Sequence, residues 1–290
     1  MEYILHIVIM LNIYIMLVLS ANLPVGMARL LTLCQAAFYG IGAYISAFFL
    51  MQFNLPFIVV ALAVMTMTGA FSWVVSLASV KLKKDYFILA TLGFQMIAYT
   101  ILYNWTDVTR GAYGIAGIPG IRLFGIVELS SVWAYASLTF VSMGLVVMVF
   151  HLIKSSPYGR LLKAMRTDEL SAQAVGRNTV VARSWAFFIS AAVSGLVGLF
   201  YASYVSYIDP TSFTLDESIF IISALFIGGV GNIRGSILGA FFVVILPEVL
   251  RSVGMPDDVA ANMRQIIYGL SLIIVMYFRP RGLAGEKISN

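Results

Sequence analysis

Residues 184 to 208 read Ser-Trp-Ala-Phe-Phe-Ile-Ser-Ala-Ala-Val-Ser-Gly-Leu-Val-Gly-Leu-Phe-Tyr-Ala-Ser-Tyr-Val-Ser-Tyr-Ile, without one Asp, Glu, Lys or Arg. A helix needs roughly 20 mainly apolar residues to cross a hydrocarbon core about 30 Å thick, so this stretch is long enough to span a bilayer by itself. Four further runs are equally free of charge: Tyr3 to Ala21, Leu55 to Val80, Tyr86 to Trp105 and Val132 to Ile153. Across the chain 61% of residues are hydrophobic and 11% charged, whereas a soluble domain carries about 25% charged residues. That mixture cannot cover a water-facing surface.

Four shorter runs, Ala36 to Met51, Ser218 to Gly231, Gly235 to Leu250 and Gln265 to Phe278, are glycine-containing or short for a crossing. Short or broken helices persist in lipid only where protein or a wet cavity satisfies their backbone, which predicts the interior of the bundle for these four. The fold expected is an all-α polytopic transmembrane helix bundle of about nine spans, within a range of about eight to ten. It forms a single domain over residues 1–290. The stretch Asn22 to Gln35, with Pro24, Gly26 and Arg29, is read either as a linker or as a re-entrant piece. Glu2 and the absence of a preceding Lys or Arg make the first run a retained helix in preference to a cleaved signal.

With nine spans, 14 of the 18 Lys and Arg residues fall on one side: Arg29, Lys81, Lys83, Lys84, Lys154, Arg160, Lys163, Arg166, Arg177, Arg183, Arg234, Arg279, Arg281 and Lys287. Arg110, Arg122, Arg251 and Arg264 lie opposite. Positive residues stay cytoplasmic during insertion, which places the carboxy terminus inside and the amino terminus outside. The longest polar stretches are then 106–131, extracytoplasmic and glycine-rich, and 154–183, cytoplasmic. The single cysteine, Cys34, permits no intrachain disulfide and reads as a small buried residue.

Two glycine-broken apolar stretches, Phe38-Tyr-Gly-Ile-Gly-Ala-Tyr44 and Phe226-Ile-Gly-Gly-Val-Gly231 followed by Gly235 and Gly239, sit in corresponding halves. Paired interrupted helices of this kind border translocation paths in transporters built from repeats. Close helix packing through small residues is the competing reading, and both can hold together.

In the cytoplasmic stretch, Ser156 and Pro157 form a helix start, and Gly176 or Asn178 a stop. Between them Arg160, Lys163, Arg166 and Glu169 recur every third residue as a charged stripe, with Leu162, Met165 and Ala172 near an apolar one. Such a helix either lies on the lipid interface or docks into a partner, and the small residues Ala172, Ala174 and Gly176 suit a close-fitting groove. The chain has no Gly-x-x-x-x-Gly-Lys-Ser/Thr loop, and the stretch from Gly228 to Ser236 lacks the lysine that reaches terminal phosphates.

Taken in order, several motifs resemble the LivM/LivH-type permeases of branched-chain amino-acid ABC importers, the LivM type most. They are Leu33 to Tyr44, Asp85-Tyr-Phe87 with Thr91-Leu-Gly-Phe94, Gly114-Ile115 with Gly117-Ile-Pro119, and Ser156-Pro-Tyr-Gly-Arg160 through Gly176. Pro210 with Ser212-Phe213, Ser218-Ile219, Gly228 to Gly231, Gly235, Gly239-Ala240, Pro247-Glu248 and the closing Pro280-Arg-Gly-Leu283 complete the set. The sequence departs from that pattern at Cys34, usually glycine, and at Arg110, commonly a small residue.

The resemblance implies a permease subunit, without catalytic or metal sites, that moves branched-chain amino acids into the cell across the bacterial inner membrane. Urea or short amides are the alternative cargo. Its implied partners are cytoplasmic ABC ATPase subunits carrying ATP and Mg, a second permease as a heterodimer, an extracytoplasmic binding protein and membrane lipid, with no nucleic acid and no cofactor on this chain. The coupling residues would be Pro157, Gly159, Arg160, Lys163, Ala164, Arg166, Asp168, Glu169, Ala172 and Gly176. The path residues would be Gln35, Phe38, Gly40, Gly42, Tyr44, Thr91, Gly93, Gly228, Gly229 and Gly231.

An ion-coupled carrier is the main rival. Such carriers place ionisable residues at mid-membrane, and the five long runs have none. Glu248 reads as interfacial beside Arg251, and His6 and His151 as span-end residues. A membrane enzyme would need a clustered metal set or a nucleophile with its base, which two distant histidines do not supply.

Overall fold

Every uncharged run named above is helical in the computed structural model, which describes residues 2–53, 55–82, 84–123, 127–128, 131–252, 257–278 and 282–284. In chain order, α1 (Glu2–Ala21) continues as a π-helical turn (Asn22–Met27), followed by α2 (Gln35–Phe53), α3 (Phe57–Lys81), α4 (Lys84–Asn104) and the short α5 (Thr106–Thr109). Two-residue strands β1 (Ile115–Ala116), β2 (Arg122–Leu123) and β3 (Val127–Glu128) precede α6 (Val132–Ser155), α7 (Pro157–Thr167), α8 (Glu169–Ala174) and α9 (Thr179–Val205). Then come β4 (Tyr207–Ile208), α10 (Leu215–Gly228), α11 (Ile233–Ser252) and α12 (Asp257–Phe278). Strand β1 pairs antiparallel with β4, Ile115 opposite Ile208, and β2 pairs with β3. Lys83, Arg279, Pro280, Arg281 and Lys287 lie outside the described residues.

Helix α9, which contains most of the run quoted first, is the central post and packs on α3, α2 and α1. Small residues make this possible. A methyl group on Gly42 of α2 would stand 2.3 Å from the Gly195 Cα of α9, so glycine on both helices is what lets their backbones touch. The pair α10 and α11 uses the same device, since a methyl on Gly228 would meet the Gly235 carbonyl oxygen at 2.0 Å. On the periphery, α3, α4 and α6 expose rows of large apolar side chains, among them Leu62, Trp73, Leu89, Ile97, Trp133 and Phe140. In water such rows would be unstable; in lipid they are solvated.

Among the described residues six helices are long and apolar enough to cross a membrane: α1 with its extension, α2, α3, α4, α6 and α9. Helix α10 has 14 residues, and α11 contains Pro247. The expectation that all four short runs lie inside the bundle is corrected at α12, where Ile266, Leu270, Ile273 and Tyr277 are exposed. The long helices α1 and α9 supply the interior instead: the second half of α1 is buried from Ile15 to Ala21, and α9 packs closely through its small residues.

Candidate functional site

The chain descends α1 to Met27 and reverses at Ala28 and Arg29, where the Leu30 amide donates to the Pro24 carbonyl at 2.9 Å and Arg29 adopts a left-handed φ of 56°. It then climbs back without regular structure to Cys34, and α2 begins only beside Ser20. Asn22 to Met27 are wholly buried, so this stretch is neither a surface linker nor solvent-exposed at its turn-in. A helix starting inside protein has first-turn amides with no intrahelical acceptor and no water to take them. Side chains from other helices take them here. The Ala36 amide donates to Ser218 Oγ of α10 at 2.9 Å, and the Ala37 amide to Gln95 Oε1 of α4 at 2.7 Å. The Leu33 amide donates to Thr91 Oγ1 at 3.1 Å, and Gln95 Nε2 donates to the Phe213 carbonyl at 2.9 Å.

Gln35 turns to the other side. Its Nε2 donates to Ser20 Oγ at 2.5 Å, Ser194 Oγ at 2.6 Å and Ser190 Oγ at 3.3 Å, tying α2 to α1 and α9. Cys34, buried as expected, contacts Thr32 Oγ1 at 3.0 Å.

The α10–α11 turn is held as tightly. Gly229 and Gly231 have φ of 125° and 85°, conformations glycine adopts freely. The Gly231 amide donates to Asn22 Oδ1 at 2.8 Å, and Asn22 Nδ2 to Ser236 Oγ at 2.8 Å. Lys154 Nζ at the end of α6 donates to the Gly231 carbonyl at 3.3 Å. Leu283 and Ala284 donate to the carbonyls of Ile227 and Gly228 at 3.0 and 2.9 Å.

The 154–183 stretch is not one helix but two. Ser156 caps α7, accepting from the Gly159 amide at 3.1 Å with Pro157 at the first position, as expected. The single helix expected up to Gly176 breaks at Asp168, which is extended (φ −148°, ψ 110°) and caps α8 by accepting from the Leu170 amide at 3.0 Å. An Asp that can cap competes with continued helix for its own backbone. The Ser171 hydroxyl and amide hold the Asp168 carboxyl below the usual carboxylate range, with the Leu170 amide adding to the effect. The stripe Arg160, Lys163, Arg166, Glu169 is thereby cut, and Glu169 pairs instead with Arg183 of α9. Tyr158 donates to the Ala182 carbonyl at 2.8 Å, and burial raises its phenol above the ordinary value.

Of the expected coupling residues, Gly159 and Ala172 are buried; Lys163, Arg166 and Glu169 are half-buried. Pro157, Arg160, Ala164, Asp168 and Gly176 face outward. Arg166 reaches the tied turn: a methyl on Gly231 would meet its Nη1 at 2.7 Å, and the Arg166 carbonyl accepts from Arg29 Nη1 at 3.4 Å. The structure therefore brings Gly231, expected on the path, beside Arg166, expected to couple. On α8 and its end, Leu170 (75% exposed) and Val175 (80% exposed) present apolar side chains.

A cavity of about 760 Å³ opens between α2, α3, α4 and the 105–115 segment, lined by Ile41, Tyr44, Phe48, Phe71 and Phe94, with Asp107 and Arg110 at a polar end. The Tyr44 hydroxyl is buried without a hydrogen-bond partner. Arg110 holds a left-handed φ of 58°, a conformation that glycine adopts more freely. Phe38 packs against Phe94 with tilted rings, centroids 5.5 Å apart, whereas Gly93 faces open space.

Residues 3–276 match the family model described as branched-chain amino acid transport system / permease component. The chain belongs to that permease family. The permease is 31% identical over 294 residues to the high-affinity branched-chain amino acid transport system permease protein LivM of Escherichia coli (strain K12), covering 93% of this chain and 67% of that one. It is 29% identical over 220 residues to a probable LivM of Methanocaldococcus jannaschii, covering 73% and 63%. It is 25% identical over 273 residues to the autoinducer 2 import system permease protein LsrC of Salmonella typhi, covering 92% and 72%. No solved structure matches. The permease is thus a multi-pass inner-membrane protein of a family that works with ATPase and binding-protein subunits.

Sequence reasoning missed Gln95, Ser20, Ser190 and Ser194, because isolated polar residues inside apolar runs carry no spacing signal. It also missed Glu217, whose Oε1 is sealed from solvent and takes no hydrogen bond. His6 contacts Tyr204 at 2.8 Å and Glu248 accepts from Tyr3, both near span ends. Among the described residues no group of three metal-ligating side chains occurs.

Proposed function

We propose that this permease carries branched-chain amino acids inward as one of two permease subunits, a heterodimer with a sister chain, of an ATP-binding-cassette importer. It has nine spans, with the amino terminus outside and the carboxy terminus in the cytoplasm. Cytoplasmic ATPase subunits bearing ATP and Mg dock on α7–α8, and an extracytoplasmic binding protein delivers the cargo.

The observation that carries this reading is the connection of the α7–α8 arm to the bundle. A solvated loop would transmit nothing. Here both helices are capped, Glu169 anchors α8 to α9, and Arg166 bears on Gly231. Movement of the arm therefore reaches the α10–α11 turn and the end of α1, and along α10 it reaches Ser218, which holds the first turn of α2. Gln35, Phe38, Gly40, Gly42, Tyr44, Thr91 and Gly93 belong to the elements that such a shift rearranges, and Gly228, Gly229 and Gly231 stand at the cytoplasmic mouth. The cavity beside Tyr44 has an apolar wall suited to an aliphatic side chain. Exposed Leu170 and Val175 are the apolar anchors expected of a docking tip.

Co-purification of the ATPase from membranes tests this, comparing wild type with Gly176→Trp and Leu170→Ser at equal expression. Loss of the ATPase in both, with leucine, isoleucine and valine uptake lost in parallel, is the expected result. An ATPase that binds all three proteins equally defeats the docking role of α8.

A further inference from the structure

Glu217 lies in the first turn of α10, where an acidic residue complements the helix dipole, yet its surroundings exceed that role. Its polar neighbour is the Tyr14 hydroxyl of α1, and its Oε1 is enclosed without a hydrogen bond. Tyr39 of α2 and Tyr201 of α9 also lie within electrostatic reach of the carboxyl, their rings 5.5 Å apart. Phe213 packs on Tyr39 at 4.9 Å, and Phe220, one turn along α10 from Glu217, meets Tyr14 at 5.5 Å. Glu217, Tyr14, Tyr201 and Phe220 are each part-buried as whole residues.

A sealed carboxylate with an unused oxygen is costly unless a cation or a proton joins it. Tyrosine faces around a carboxylate are the chemistry that recognises an alkylammonium, by charge pairing and by cation–π attraction. The segment leading into α10 follows β4, which pairs with the extracytoplasmic strand β1, so the carboxyl is near the side from which cargo comes.

We propose that Glu217, with Tyr14, Tyr39 and Tyr201 around it, is a transit site for a primary ammonium on a small apolar skeleton. Resting on the importer reading above, it takes the α-ammonium of the amino acid while Phe213 and Phe220 border the side chain. The site discriminates amines from isosteric alcohols inside the membrane, downstream of the binding protein.

The test uses the complete transporter in nanodiscs, with isobutylammonium chloride as probe, isobutanol as control, and tyrosine difference absorbance as readout. Glu217→Gln is expected to weaken isobutylammonium binding by about tenfold or more. Leucine uptake falls in step while ATP hydrolysis stimulated by the binding protein persists. Undiminished binding in Glu217→Gln overturns the proposal and leaves Glu217 as a protonated partner of Tyr14. If that variant fails to assemble, Tyr201→Leu decides, because it keeps the carboxyl and removes one cage face; unchanged affinity there also overturns the proposal. Glu217-dependent probe binding in a wild-type transporter that takes up no amino acid upholds the ammonium site and refutes the importer reading separately.

Discussion

Gln95→Leu and Gln35→Leu remove similar side chains from the same buried layer, but the structure makes them unequal. Gln95 accepts from the Ala37 amide and donates to the Phe213 carbonyl, and neither group makes another hydrogen bond among the described residues. Each orphaned buried backbone group costs about 1–3 kcal/mol, so Gln95→Leu should cost about 2–4 kcal/mol after partial relaxation. Gln35 donates to three serines that each keep a backbone acceptor: Ser20 to the Leu17 carbonyl, Ser190 to that of Ser20, and Ser194 to that of Ser190. Side-chain bonds between membrane helices average about 0.6 kcal/mol, which puts Gln35→Leu at about 1–2 kcal/mol. Cys34 provides the assay, being the sole cysteine, fully buried and adjacent to the first residue of α2. Maleimide modification of Cys34 in lipid nanodiscs reports opening at this helix start. At about 1.4 kcal/mol per tenfold, Gln95→Leu should speed labelling by about 30- to 1,000-fold and Gln35→Leu by about 5- to 30-fold. Equal rates, or the reverse order, would refute the claim that α2 depends on Gln95 to satisfy its buried amides.

Gly42→Ala should lower the yield of folded, monodisperse protein, because its new methyl stands 2.3 Å from Gly195 and overpacking costs about 1–3 kcal/mol. Gly93→Ala, with open space beside it, should leave the thermal midpoint in detergent unchanged or raised. Asp168→Ala should abolish hydrogen-exchange protection of the Leu170 amide. The folded Asp168 carboxyl lies below its unfolded value, so its cap is fully present above about pH 4 and is lost as pH falls through the lowered value. Asp168→Asn should keep the cap and lose that acid sensitivity. Glu169→Lys should disturb the arm by breaking its pair with Arg183, and the swap Glu169→Arg with Arg183→Glu should restore ATPase co-purification if the pair only positions α8.

Which runs form helices was legible in the chain because lipid imposes one requirement on every spanning residue: an apolar side chain on a backbone bonded within its own segment. Residues 184 to 205 satisfy it, so their helix needs no tertiary argument. The cap Ser156 was equally readable, since a cap acts on amides two or three residues away, whereas Asn178, read as a helix stop, caps the start of α9. Asp168 was within the same reach but was concealed by a charge period running through it.

Contacts between helices were another matter. Nothing in the neighbourhood of Gln95 shows that it accepts from Ala37, 58 residues earlier in the chain. Glycines at 42 and 195 have no local signature of meeting, and Gly231 gives no sign of lying under Arg166. These pairings depend on which faces of separate helices come together. Glu217 shows the difference most sharply: beside Asp216 and at the edge of an apolar run it reads as a residue in water, and only the packing of α1, α2 and α9 around α10 encloses its carboxyl. Helix identity is a property of single segments in lipid, whereas burial of a polar atom is a property of the neighbours it acquires.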